Sequence, residues 1–407
     1  MRTLSLAGMA VWAAWACFAA DDKWMSLRPD KEFKGWLPIS GQWQIDGEEL
    51  IGKATGGEMA WILSTQTYAD FELKLEFITP VPCNGGVQFR SHWLPVLPIP
   101  EGVNPADAPK QIYGYQADID TRGPDTTKDR TGAIVDENGR WGLATPADAT
   151  VRRVRPSEWN TMRVKAVGDK IEVYVNGVPA SEVQDDRMLQ GGLGLQVNSR
   201  DFPGIAEVRY RNILVRDLGR GGNWRTLFDG KTLKGWKEWG TESWSVEDGA
   251  IVGRSGPKKS EGYLATNETW KDFRVRGQFK MMGTGNFGLF YHSTITLRED
   301  GYPVISGLQG EVAPEFPGPT GWVYESYKRG WLVKPDPATL PALALRPGDW
   351  NEIEIRSADN HITTWVNGLQ VLDHVDDGQQ LHEGSFALQL HTGGVDGIMW
   401  KEIYVEK

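Results

Sequence analysis

Residues 68–77, Tyr-Ala-Asp-Phe-Glu-Leu-Lys-Leu-Glu-Phe, return as residues 270–279, Trp-Lys-Asp-Phe-Arg-Val-Arg-Gly-Gln-Phe. Both runs alternate apolar and polar side chains, the period of a half-buried β-strand. The match extends outward in both directions. Gly35-Trp36 answers Gly235-Trp236, and the run from Trp43 to Gly52 answers the run from Trp244 to Gly253. Further along, Asn84 to Arg90 pairs with Asn286 to His292, Gly114 to Asp118 with Gly307 to Glu311, and Leu195 to Asn198 with Leu388 to His391. The offset drifts from 200 residues at Gly35 and Gly235 to 189 at Asp136 and Glu325, the mark of a duplicated domain. Val175-Asn-Gly-Val178 and Val366-Asn-Gly-Leu369 are hairpin turns, because the type I′ turn needs positive φ at both central residues. Each copy therefore offers about a dozen short strands and almost no helix, which predicts an all-β chain of two tandem jelly-roll sandwiches. The first spans residues 22–218 and the second 224–407, with the glycine-rich residues 219–223 as a flexible linker. The best helical stretch is Glu182 to Gln190.

Composition agrees. The 407 residues include 48 Gly, 23 Pro and 19 Trp, many turns and flat aromatic surfaces rather than amphipathic helices. A formal net charge of −10, with no basic run longer than Arg152-Arg153-Val154-Arg155, argues against nucleic acid as a partner. Residues 1–20 carry Arg2, an apolar stretch from Leu4 to Ala19 and Ala19-Ala20 before charged residues, which reads as an export signal. No segment reaches the roughly 20 apolar residues of a membrane span, so a periplasmic or extracellular location is expected. Cys17 follows Ala14-Trp15-Ala16, a poor match to a lipoprotein signal. Beyond it only Cys83 remains, which excludes an intramolecular disulfide.

Residues two apart on a strand share a face. Asn84, Gly86, Gln88 and Arg90 form one such set, then Gln116, Asp118 and Asp120, then Gln196 and Asn198; the second copy offers Asn286, Gly288, Phe290 and His292, then Gln309 and Glu311, then Gln389 and His391. Polar groups at alternate positions of apolar strands are costly unless the face is wet, so a concave, solvated ligand face is expected. A loop follows in each copy, with Asp136 and Arg140 matching Glu325 and Arg329. That pair reads either as a loop-stabilising ion pair or as a lid carrying an acid and an Arg. Trp93, Tyr113, Tyr115, Trp322, Tyr324, Tyr327 and Trp331 cluster around the proposed face and suit a sugar. Glu311, His391 and His292 could hold a divalent ion if their strands are neighbours, although nothing in the sequence requires a cofactor.

The Asn84–Arg90 run, Gly-Tyr-Gln-Ala-Asp at 114–118, Leu-Gln-Leu-His at 388–391 and the opening Leu227–Trp236 together resemble the 3-keto-disaccharide hydrolase family. The resemblance covers essentially the whole chain after the leader, twice. It implies concanavalin/laminin-G-like sandwiches acting on glucosides already oxidised at C3: a base removes the C2 proton, the glycosidic bond at C1 breaks, and water adds to the 3-keto-2-hydroxy-glucal. On that pattern Asp118 or Glu311 is the base, Asp136 or Glu325 the acid, and Arg90, Arg140 or Arg329 the oxyanion partner, with His391 a further catalytic candidate. Gln88, Gln116, Gln196, Tyr115, Trp93, Gln309 and Gln389 would bind substrate. Neither copy carries the full set, because Arg90 is answered by His292 and Asn198 by His391. The first copy is closer to the pattern. The alternative is a non-catalytic, lectin-like carbohydrate-binding protein.

Overall fold

The computed structural model describes residues 23–105, 107–122, 131–146, 154–200, 204–376 and 383–407. The leader at 1–20, with Cys17, lies outside the described residues, as do Arg152 and Arg153. Within them, thirty strands and one short 3₁₀ turn form four antiparallel sheets, an eight-stranded and a seven-stranded sheet in each half. The two tandem β-sandwiches are thus as expected.

The alternation that opened the sequence does its work in strand Asp70–Ile78. Phe71, Leu73, Leu75 and Phe77 point between the sheets and are at most 3% exposed, while Lys74 and Glu76 face out. Burying such side chains contributes roughly 1.5–3 kcal/mol each. This strand sits mid-sheet between Asn160–Val167 and Ala206–Gly219. Its counterpart Phe273–Met281 lies between Asn351–Ala358 and Ile398–Glu406. The two Asn-Gly turns have the expected left-handed backbone, with φ of 49° and 76° at Asn176 and Gly177 and of 53° and 79° at Asn367 and Gly368.

The seven-stranded sheets carry the polar alternation. In the first sandwich the order is Trp141–Ala144, Ile134–Glu137, Lys110–Asp120, Asn84–Pro95, Gly191–Asn198, Met59–Tyr68, Trp36–Ser40. In the second it is Gly330–Trp331, Val323–Ser326, Pro303–Val312, Phe287–Leu297, Ser385–Leu390, Gly262–Thr266, Trp236–Gly240.

Three local expectations change. Glu182 to Gln190 is no helix: Glu182, Val183 and Gln184 end strand Val178–Gln184, whose backbone groups are taken by Lys170–Val175. Asp136 and Glu325 are not on lids, because Ile134–Glu137 and Val323–Ser326 extend the sheets as strands. The glycine-rich 219–223 stretch is also not free. Arg220 is buried, with its guanidinium bound to Glu352 (2.7 Å) and Glu354 (2.6 Å) of the second sandwich and to the Gln190 side chain (2.9 Å) of the first. Beside it, Trp365 Nε1 donates to the Asp186 carbonyl at 2.6 Å and Arg356 reaches the Asp186 carboxylate at 3.0 Å.

Candidate functional site

On strand Lys110–Asp120 the side chains of Gln116, Asp118 and Asp120 leave the core while Tyr115, Ala117 and Ile119 enter it. Across the ladder Asp118 faces Gly86, and Gly86 faces Gln196 on the next strand. Gly86 leaves the space in which Gln116 lies: a Cβ there would meet Gln116 Cδ at 2.3 Å. Asn84 Nδ2 (3.1 Å) and Gln116 Nε2 (3.3 Å) both donate to Asp118 Oδ1. Gln88 Nε2 donates in turn to Gln116 Oε1 at 2.5 Å, and Ser91 Oγ to Gln88 Oε1 at 3.0 Å. Among the described residues nothing donates to Gln196 Oε1, a buried acceptor at the cleft floor.

The cleft over this floor has a volume of about 260 Å³ and also takes in Arg122, Glu137, Trp141, Asn198 and Arg200. Asp120 holds Arg122 through Nε (2.9 Å) and Nη2 (2.7 Å). The Trp141 indole is 53% exposed at the rim. Burial, reinforced by Asp120 and Glu137 and only partly offset by Asn84, pushes the Asp118 carboxyl up to about 7. Burial also pushes Glu137 up to about 7, against the pull of Arg200. Two carboxyl groups that change charge near neutral pH thus line one cleft beside two guanidinium groups.

The second sandwich repeats the floor. Asn286 Nδ2 donates to Glu311 Oε1, and Gln309 Nε2 reaches Glu311 Oε2 at 3.1 Å and Gln389 Oε1 at 2.9 Å. Gly288 makes the same allowance as Gly86, since a Cβ there would meet Gln309 Nε2 at 2.4 Å. Burial, with Glu315 adding to it and Asn286 opposing it, raises Glu311 to about 7. The rim differs. Asp120, Arg122, Glu137 and Arg200 are answered by Ala313, Glu315, Ser326 and Gly393.

The family model for a 3-keto-alpha-glucoside-1,2-lyase-like domain matches this chain twice, over residues 23–216 and 223–406. The chain belongs to the 3-keto-disaccharide hydrolase family. A 3-keto-disaccharide hydrolase of Bacteroides thetaiotaomicron is 27% identical over 167 residues, which cover 37% of this chain and 57% of that protein. The chain thus matches a little over half the length of that relative. Among solved structures, a Bacillus subtilis protein with a galectin-like fold is 18% identical, covering 49% of this chain and 96% of that one at a TM-score of 0.38. A carbohydrate-binding module from Bacillus subtilis is 19% identical, covering 45% and 96% at a TM-score of 0.33.

Not every residue expected from the resemblance to the 3-keto-disaccharide hydrolase family reaches the cleft. Gln116, Asp118 and Gln196 do, and Gln88 supports them from behind. Arg90 does not, because a bulge interrupts the ladder between Phe89 and His92. Its backbone turns left-handed (φ 46°), and the fully buried guanidinium binds Asp70 (3.3 Å) and the carbonyls of Ala69 (2.9 Å) and Gly168 (2.7 Å). His292 takes the same turn (φ 47°), its Nε2 lying 2.6 Å from the Lys271 carbonyl. That separates it from Glu311 and His391, so the expected ion-binding trio does not assemble. Among the described residues no group of three or more His, Cys, Asp or Glu side chains is placed to hold a metal ion.

Asp136 lies opposite Tyr115, on the inward face of its strand. It accepts from Arg140 Nε (2.7 Å) and Arg187 Nη1 (2.6 Å), and Arg140 goes on to Asp185 at 2.8 Å. Glu325 lies opposite Leu308 and binds Arg329, which continues to Asp376. The shared acid and Arg are therefore the ion pair of the structural reading, not a lid. Tyr115 donates its hydroxyl to Asp185 within this network, and Tyr113 and Trp322 are also buried in the core. Trp93 stays on the outer face in a small apolar cluster with Trp61, Leu63 and Ile112, beside the cleft. His391 sits at the end of the second floor, its Nδ1 3.1 Å from the Thr392 carbonyl.

Glu137, Arg122, Arg200 and Trp141 were missed. The signal for Glu137 was parity: it shares a face with Val135, and Val135 pairs with Gln116.

Proposed function

We propose that the first sandwich is the catalytic one, and that it opens 3-keto-glucosides by elimination across C1 and C2 followed by hydration. The observation that carries this reading is the pair Asp118 and Glu137, both raised to about 7 in one cleft with Arg122 and Arg200. A C3 ketone acidifies the C2 proton. Asp118, whose Oδ1 is held by two amide N–H groups, takes that proton through its other oxygen. The C2–H electron pair becomes the C1=C2 double bond, the C1–O bond breaks, and protonated Glu137 gives its proton to the departing oxygen. Water then adds across the double bond, hydroxyl to C1 and proton to C2. Each placed proton transfer is worth about 10²- to 10⁴-fold. A guanidinium beside the C3 oxygen stabilises the enolate, where preorganised charge has most effect. The amides of Asn84 and Gln116 and the unpaired Gln196 Oε1 suit sugar hydroxyls, and Trp141 a sugar ring. The leader at residues 1–20 would deliver the protein outside the cytoplasm, which fractionation and sequencing of the mature N-terminus would check.

The purified chain should release the aglycone from a 3-keto-α-glucoside with no added nicotinamide. Saturable sugar binding with no turnover of any 3-keto-glucoside would replace this reading with the lectin-like one.

A further inference from the structure

Strand Gly262–Thr266 pairs with Ser385–Leu390 through Gly262 and Leu390, so Glu261, one residue further out, comes opposite His391. In the first sandwich the same place is held by Met59, opposite Asn198. The substitution of a thioether by a carboxylate puts a second acid on a face that already holds Glu311. Glu261 is only 8% exposed and accepts a hydrogen bond from the Tyr263 hydroxyl; Tyr263 lies directly across from Gln389. The His391 backbone N–H binds the Asn286 carbonyl at 3.2 Å, and the Asn286 amide binds Glu311. Two tyrosines from other segments feel the charge of the same carboxylate. Burial, then the charge of Glu261, raises the hydroxyls of both Tyr302 and Tyr327. The Tyr327 ring is nevertheless 62% exposed, on a left-handed residue with φ of 57°.

We infer that this face is a second, independent sugar site, which holds a neutral, unoxidised pyranose between Glu261 and Glu311 without turning it over. The ligand class rests on the reading given above for the first cleft. Carboxylates and amides accept and donate to vicinal hydroxyls, and an exposed tyrosine ring covers the C–H face of a pyranose. Turnover is not expected, because the positions of Arg122 and Arg200 are Glu315 and Gly393. An enolate would find no guanidinium where the first cleft has two.

The test is calorimetry on the full mature chain carrying Asp118→Asn, titrated with the methyl α-pyranosides of glucose, mannose and galactose. At least one should bind saturably. Adding Glu261→Gln should weaken that binding about 10-fold or more, and Tyr327→Asn, which removes the ring yet suits the left-handed backbone, severalfold. In the otherwise unaltered chain the same two substitutions should leave turnover of a 3-keto-glucoside unchanged. The inference is overturned by no saturable binding, by binding indifferent to both substitutions, or by loss of turnover in Glu261→Gln with its melting temperature intact. Failure of the unaltered chain to turn over any 3-keto-glucoside would sink the catalytic reading, while these binding results would still decide this one.

Discussion

The concave faces of the two sandwiches share a floor and differ at the rim. Asn84, Gln116, Asp118 and Gln196 have direct equivalents in Asn286, Gln309, Glu311 and Gln389, built on matching glycines. Around that floor the first sandwich places Asp120, Arg122, Glu137 and Arg200, and the second Ala313, Glu315, Ser326 and Gly393. What duplication retained is of two kinds: the floor, and ion pairs between the sheets such as Asp136 with Arg140 and Glu325 with Arg329. What it changed is the charged ring above the floor. Retention between copies therefore marks scaffold at least as strongly as chemistry, and the divergent positions separate the two sites.

The sharpest way to break this comparison is to disable each floor in turn. Asp118→Asn should lower kcat on a 3-keto-glucoside by about 10²- to 10⁴-fold, the range for one placed proton transfer. Glu311→Gln should change it less than about twofold. Steady-state kinetics on both variants decides the matter, and the reverse pattern would move catalysis to the second sandwich. Glu137→Gln should resemble Asp118→Asn and lose the basic limb of the pH profile, whereas Ser326→Ala at the matching position should do nothing.

The retained ion pairs predict symmetry where the rims predict asymmetry. Asp136 is fully buried and holds two guanidinium groups, and Glu325 is 2% exposed with its own Arg329. Losing a hydrogen bond to a charged group costs about 1.5–3 kcal/mol, and the partners Arg140 and Arg329, 45% and 27% exposed, keep Asp185 and Asp376. Asp136→Ala and Glu325→Ala should each lower stability by that order in thermal or urea unfolding. Asp136→Ala protein that remains folded at low temperature should keep most of its kcat. A kcat loss as large as that of Asp118→Asn, with the fold intact, would return Asp136 to the active site.

How much of this was legible in the sequence follows from the same contrast. Period-two alternation and two Asn-Gly turns were enough for the sandwiches, and parity alone placed Gln116, Asp118 and Gln196 on one wet face. Arg90 escaped because a one-residue bulge reverses parity, and nothing in Phe89-Arg90-Ser91 announces it. Tyr115 was misjudged against that same parity, one residue from Gln116 and so on the opposite face. Glu137 and Arg200 were overlooked for a different reason: comparison of the copies favours what they share, and these two have no counterpart. The placing of Glu137 on the face of Asp118 depends on the register between strands Lys110–Asp120 and Ile134–Glu137, which the intervening segment does not announce.

The last test in this series is a pH dependence of stability, whose sign is unusual for carboxylates. Asp118 and Glu137 titrate near 4 when unfolded and near 7 when folded, so between those values the native state holds more protons than the unfolded one. Stability then falls as pH rises through that window, by up to about 1.4 kcal/mol per pH unit for each group, and the loss is complete above pH 7. Glu311 contributes one such group to the second sandwich, against two in the first. Urea midpoints at pH 5 and pH 8 should therefore draw together in Asp118→Asn with Glu137→Gln, and about half as much in Glu311→Gln. The doubly altered chain should also be more stable than the unaltered one at pH 8, because it no longer buries two charges in the first cleft. Midpoints that shift with pH as much in the altered chains as in the unaltered one would mean that water already solvates these carboxylates, and the argument for neutral-pH proton transfer in the first cleft would lose its basis.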